Sequence, residues 1–502
     1  MEQKKHSLQA YAMGIDTHQE PVVYMRKDCH ICRSEGFSAN ARVLLVTKSN
    51  ELIVTLNVVR SDKLSSEQIG LSDIAVQRLD CVDGQVISIS HAPVVTSLSY
   101  VRKKIYGSEL TGNEIKHVIE DISNHKYSDI EIASFLSACA GQRLSIHEIV
   151  NLTKAMVACG KTLSWGKNKK IFDKHCIGGL PGNRTTPLVV SIASAAGLII
   201  PKTSSRAITS PAGTADTMQS LANVSLDITQ IKKVVAKTGA CLAWGGAVNL
   251  SPADDMLIRI ERALDLDGEG QLIASVLSKK ISAGSTHVII DIPVGDTAKV
   301  RTHDDANRLA GLFSHVGATC GIEVRCLLTD GSKPVGAGIG PSEEAKDILA
   351  VLNGNKDAPQ DLKERALFLT ANLLDMDNGL GVEAGLEQAT IILESGQALT
   401  QFNKILEEQG GRKSLTEANY QHTELSTKKG KLVQIDNRKL ARLAKLAGAP
   451  FSLNSGLRLH VNVNSLIAQG SAIFTLYSDT QGEMNYALDY YHSNIKMFQI
   501  EV

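Results

Sequence analysis

Residues 174–216 read KHCIGGLPGNRTTPLVVSIASAAGLIIPKTSSRAITSPAGTAD: two turns rich in glycine and hydroxyl side chains, with one apolar run between them. The run, residues 187–200, is too short to span a membrane and has the length of a buried helix leading into a strand. Loop, helix, strand and loop, in that order, turn backbone N–H groups and hydroxyls of an α/β protein toward an anion. The stretch therefore predicts a phosphate site with chemistry beside it. The first turn is not a P-loop, because Asn183 and Arg184 follow Gly182 where Lys and a hydroxyl are needed, and it does not read G-x-G-x-x-G. Two such loops after successive strands face each other at the carboxyl end of a sheet, where α/β ligands sit.

The rest of the chain fits around that stretch. Beyond residue 174, short apolar strands (LIIP, ACLAW, HVIIDIPVG, IEVRCLLTDG) alternate with helical segments, which predicts a largely parallel sheet with helices on its faces. Before it, three capping boxes (Thr111 with Glu114, Ser128 with Glu131, Ser145 with Glu148) start helices with apolar positions three and four apart. The N-terminal part alternates like strands joined by a polar turn at residues 48–51, with a short helix from Ser72. Strands return at the end of the chain around the helix RKLARLAKLAG. The predicted fold class is multidomain α/β. A β-rich N-terminal domain covers residues 1–92 and a helical domain covers 93–168, joined by 250–283. An α/β phosphate-binding domain covers 169–249 and 284–420, and a C-terminal α+β domain covers 421–502.

Charge excludes some functions. Lys plus Arg and Asp plus Glu number 53 each in 502 residues, so no global field favours nucleic acid or an anionic membrane, and anion binding must be local. The first residues lack an apolar signal core and no stretch reaches membrane-helix length, so the expected place is the cytoplasm. Nine cysteines, many in apolar runs, read as reduced and buried, not as a disulfide framework. Cys29 and Cys32 have a metal-like spacing but no second ligand pair, and the plain expectation is an unligated surface turn. No cluster calls for a metal.

The run KHxxGG…GN[KR]TT…SSRAITSxAGTAD, then WGGAVNLxPADD, IASVLSKK and STHVIIDIPVG, resembles the thymidine/AMP phosphorylase family, in its long-form branch, over nearly the whole chain. The resemblance implies an enzyme that cleaves an N-glycosidic bond with inorganic phosphate, releasing base and sugar 1-phosphate, as a homodimer and without a cofactor. It implies that Lys174, Thr186, Ser204 and Thr214 hold phosphate, with Gly178 and Gly179 letting it approach. Cys176 stands where the family usually has Ser, and a thiol is the weaker donor. His175 would reach the base or the leaving oxygen. Ser275 and Lys279, four apart on one helix face, would read the base edge, with Lys279 stabilising charge on a departing pyrimidine. Asp267 matches the proton donor of the AMP enzymes, with a plain loop carboxylate as the alternative. Lys299 and the residues Ser205, Arg206, Ala207, Ile208, Thr209 and Ser210 would complete the substrate contacts; Arg259 and Arg262 both lie near the place of a base-binding arginine.

The chemistry that follows is in-line attack by phosphate on a sugar carbon with oxocarbenium character, while a cation or proton donor meets the base. With the base contacts on a helical segment, the expectation is a site straddling two domains that closes to exclude water. Thymidine or a related pyrimidine nucleoside is the first substrate reading. AMP is the alternative, and its 5′-phosphate would need cations near Arg206 or Lys299. An anthranilate-type phosphoribosyltransferase would need an acidic pair for Mg²⁺ after the loop, and none follows. A non-catalytic nucleotide-binding protein is the remaining rival.

Overall fold

The computed structural model describes residues 6–207, 210–266 and 268–501, and their contacts separate into two compact units. The first comprises Met1–Ala155 and Ala253–Gly270. It opens with strands β1 (Ser7–Ala12), β2 (Val22–Arg26), β3 (Arg42–Val46), β4 (Glu51–Val59), β5 (Gln68–Leu71) and β6 (Val86–His91), closed into a barrel in the order β1-β5-β2-β4-β3-β6. Alternation drives closure: Val43 and Leu45 of β3 and Val54 and Leu56 of β4 are buried inside. Helices α1 (His30–Glu35) and α2 (Asp73–Leu79) fill two connections, the latter starting at Ser72. The surface turn expected at Cys29 and Cys32 is corrected here, since both thiols are buried. Cys29 caps α1, its Sγ accepting the Cys32 N–H at 3.2 Å, so the spacing serves a helix start within the barrel core.

Helices α3 (Leu98–Ile105), α4 (Gly112–Ser123), α5 (Asp129–Cys139) and α6 (Ile146–Ala158) follow. The three capping boxes form as the sequence requires, the last with Ser145 N–H donating to Glu148 at 2.9 Å and Glu148 N–H to Ser145 Oγ at 3.3 Å. Each cap contributes about 1 kcal/mol. Glu148 also ion-pairs at 2.7 Å with Lys104, both side chains being buried.

The second unit comprises Met156–Pro252 and Gln271–Val502. Strands β7 (Phe172–Cys176), β8 (Ile200–Ser204), β9 (Ala240–Trp244), β10 (His287–Val294) and β11 (Glu323–Asp330) run parallel, in the orders β11-β10-β7 and β8-β9. A single parallel bridge, Ile171 to Ile199, joins β7 to β8. Helix α7 (Thr186–Ala195) is buried all round, with Leu188, Val189, Val190 and Ile192 at 0 % exposure, as a helix in the middle of a core must be. Further along the chain are helices α8 (Thr214–Gln219), α9 (Ile228–Thr238), α10 (Pro252–Leu264, almost wholly in the first unit), α11 (Glu269–Ser282), α12 (His303–Thr319), α13 (Pro341–Leu352), α14 (Gln360–Asn378), α15 (Val382–Glu394), α16 (Gln397–Glu408), α17 (Asn437–Leu446) and α18 (Gln481–Ser493).

Two expected boundaries shift. Residues 253–270 belong with the helical part, but α11 from Gln271 onward lies in the second unit. The C-terminal residues are not set apart either. The short strand Gly338–Ile339 pairs with Gly456–Leu459, and Arg458 reaches Glu343 at 2.7 Å and Asp347 at 3.0 Å on α13. These charged contacts could not be anticipated from local pattern, because the partners lie far apart in the chain.

Candidate active site

Strand β7 divides the site. Side chains alternate along it, so Lys174 and Cys176 point to one face while Asp173 and His175 point to the other. On the first face Cys176 stands opposite Asp291 of β10 in register. Lys174 is 1 % exposed; its Nζ donates to Thr185 Oγ1 at 2.7 Å and lies 3.8 Å from Asp291 Oδ2. Asp291 is itself held by the Thr329 hydroxyl at 2.6 Å, and its Oδ2 has no hydrogen-bond donor. Burial pulls the Lys174 ammonium below the usual lysine range, against the opposing charges nearby. This is a lysine whose closest contact is a neutral hydroxyl. An arriving anion would complete its surroundings. The Cys176 thiol, raised to about 12 by burial and then by Asp291, stays protonated, and its sulfur accepts from Asn183 Nδ2 at 3.4 Å.

The two glycine-rich loops are tied together by Arg184. Its guanidinium donates to Glu344 at 2.7 Å, to Thr214 Oγ1 at 3.0 Å and to the Ala212 carbonyl at 2.7 Å. With its oxygen already accepting from Arg184, the Thr214 hydroxyl has its proton left to donate. Ser204, at the end of β8, has a buried Oγ with no hydrogen-bond partner among the described residues, and Thr186 opens α7. Gly178 has φ +91° and open space where a side chain would be, so close approach there is feasible. Gly179 differs from expectation: a Cβ there would meet the Lys299 backbone nitrogen at 2.7 Å, so this glycine admits Lys299.

The second loop folds around Asp216. Its carboxylate accepts the Ala207 and Gly213 N–H groups at 2.7 and 2.9 Å and pairs with Arg206 at 3.0 Å. Arg206 also lies over the Trp244 ring, 4.8 Å from its centroid. Ser205 is exposed, and Ser210 bonds back to the Ala212 carbonyl at 2.9 Å. Ile208, Thr209 and Asp267 lie outside the described residues.

On the other face of β7 the neighbours are charged. Asp173 pairs with Lys202 of β8 at 3.1 Å and with Lys280 of α11 at 2.8 Å, and all three side chains are almost wholly buried. Burial alone would raise the Asp173 carboxyl, but the two lysines outweigh it and hold it low. Lys280 anchors α11 beside β7, and α11 carries the half-buried Ser275 and Lys279. This pair thus falls in the same unit as the two glycine-rich loops, where a separate domain was expected. Arg259 is held by Asp129 at 2.5 Å in the first unit, and Arg262 is exposed. His175 is partly exposed, and its imidazole is pushed well below the usual range by burial and then by surrounding lysines, which makes it neutral.

Three buried charges on strands, Asp173, Lys202 and Asp291, take no role from any motif, and neither do Lys280 and Glu344 on helices. The available signal was a charge inside an apolar strand, as in FDKHC, IPKTS and HVIIDIPV, which a buried sheet tolerates only when paired.

Residues 98–160 match the model of a glycosyl transferase family helical bundle domain, and residues 168–399 that family's a/b domain. The fold is shared with anthranilate phosphoribosyltransferase from Thermus thermophilus (TM-score 0.51, 17% identity, 62% of this chain and 98% of that one). It is shared equally with the Saccharomyces cerevisiae enzyme (TM-score 0.51, 16% identity, 63% and 98%). The chain is a pentosyltransferase. Relatives include "Putative thymidine phosphorylase 2" of Acidovorax sp. (strain JS42), 51% identical over 98% of this chain and 96% of the relative. A Hahella chejuensis protein, "Putative thymidine phosphorylase", is 51% identical over 97% of each. The chain belongs to the thymidine phosphorylase family.

Proposed function

We propose that this chain is a pyrimidine nucleoside phosphorylase that converts thymidine and phosphate to thymine and 2-deoxyribose 1-phosphate. The observation that carries the proposal is Lys174, a buried ammonium bonded to a hydroxyl, with its nearest carboxylate oxygen 3.8 Å away. In this account Lys174, Thr186, Ser204 and Thr214 hold phosphate in line with the sugar carbon. Lys279 and Ser275 meet the base, where negative charge develops as the bond breaks, and such preorganised groups contribute the most to rate. His175, neutral, offers one donor and one acceptor nitrogen to the base or the leaving oxygen. Asp267 is kept as a candidate proton donor. The enzyme is taken to work as a cytoplasmic homodimer with no cofactor.

Nucleoside is preferred over nucleotide because Arg206, a cation that a 5′-phosphate would need, is engaged by Asp216 and stacked on Trp244. The test is a panel of thymidine, uridine, AMP, CMP and UMP, each with and without phosphate. Thymine release that requires phosphate is expected; base release from AMP in preference to thymidine would move the assignment to the nucleotide. In that event Lys299→Ala should depress AMP turnover far more than thymidine turnover.

A further inference from the structure

The Lys202–Asp173–Lys280 cluster has no part in the reaction just described, yet three charged side chains at 1–3 % exposure are costly to keep unless they serve something. Asp173 and His175 share one face of β7, so the cluster lies on the same side of the strand as the imidazole. Its carboxylate is shared by two ammonium groups, at 3.1 and 2.8 Å, which leaves a surplus of positive charge. We propose that Lys202, Asp173 and Lys280 form a positioning device that keeps the His175 ring neutral by presenting their surplus positive charge to it.

The charged groups that act on His175 come from several elements, Lys280 on α11, Lys202 on β8, Lys174 on β7 itself and Lys299 after β10, with Asp173 on the same face of β7. Burial, opposed by Asp173 and aided by the like charge of Lys202, brings Lys280 down to about 7. As pH falls, Lys280 gains its proton first, and the added charge then opposes a proton on His175. The benefit is chemical. The sugar gains positive charge in the transition state, and an imidazolium beside it would oppose that charge, whereas a neutral ring keeps both a donor and an acceptor.

This inference rests on the proposed reaction only for its purpose, so its test reads the ring directly in the substrate-free protein. Histidine-labelled protein is titrated by NMR, with His175 assigned by its loss in His175→Gln. In the unaltered chain His175 should stay neutral well below the ordinary histidine range, whereas in Lys280→Met it should begin to protonate at least about one pH unit higher than in the unaltered chain. Lys280→Arg, which keeps the charge, should restore the original behaviour. Lys202→Met carries the same expectation as Lys280→Met if that variant does not fold. A second readout is the pH profile of kcat, which should gain an acid limb in Lys280→Met with the KM for phosphate unchanged. His175 protonating near its ordinary range in the unaltered chain, or Lys280→Met and Lys202→Met both leaving it neutral to the same pH, overturns the proposal. Failure of the substrate panel alone leaves the titration result standing.

Discussion

Lys174 and Lys280 are buried to the same degree, at 1 % and 3 % exposure, on opposite sides of one strand, and they meet opposite surroundings. Lys280 touches a carboxylate that it shares with Lys202. Lys174 touches a neutral threonine, with its nearest carboxylate oxygen at 3.8 Å and itself lacking a donor. The first set is closed in charge, with Asp173 within 3.1 Å of both ammonium groups, although its Oδ2, like that of Asp291, accepts no hydrogen bond among the described residues. The second is open, and in the proposed reaction phosphate would be its missing member. A buried lysine thus reports function through what it lacks, and two-residue alternation lets one strand carry both kinds side by side.

Breaking the closed set should have the largest effect. Asp173→Asn strands two buried ammonium groups and should cost roughly 3–5 kcal/mol, seen as a large drop in melting temperature; an unchanged melting temperature would remove the contrast between the faces. Lys174→Ala should cost less stability and more function. Its kcat/KM for phosphate should fall about 10²–10³-fold, the range for losing one preorganised donor, while the protein remains folded by circular dichroism. Lys279→Met should lower kcat about 10²-fold with the KM for phosphate held, which would separate the base half from the phosphate half. Cys176→Ser, placing a better donor beside Lys174, should lower the KM for phosphate by only a few-fold, on the order of 1 kcal/mol or less. No change there would mean that the thiol sits outside the anion's reach.

The open face was legible in the sequence because its signals are local. Glycine turns, clustered hydroxyls and a short apolar run announce the loops and α7, and capping boxes four residues long announce helix starts. The closed face was not legible in the same way. Asp173, Lys202 and Lys280 come from three elements, and Arg184 finds Glu344 across 160 residues of sequence. Pattern shows that a charge interrupts an apolar strand, but only the fold shows whether another charge answers it. Gly179 teaches the same lesson on a smaller scale: its glycine is demanded by the Lys299 backbone, a contact no motif describes. The helix carrying Ser275 and Lys279 was read as part of a separate helical domain. Lys280, the residue next to Lys279, ties it instead to β7 beneath the phosphate loops.

The central claim, that the open face receives inorganic phosphate as the nucleophile, is tested most directly by incubating the purified chain with thymidine in the presence and absence of phosphate and following thymine by chromatography and the sugar by ³¹P NMR. The account predicts thymine release that saturates with phosphate and a matching 2-deoxyribose 1-phosphate signal. Thymine release at the same rate without phosphate, or no base released from any nucleoside or nucleotide at saturating phosphate, would contradict it.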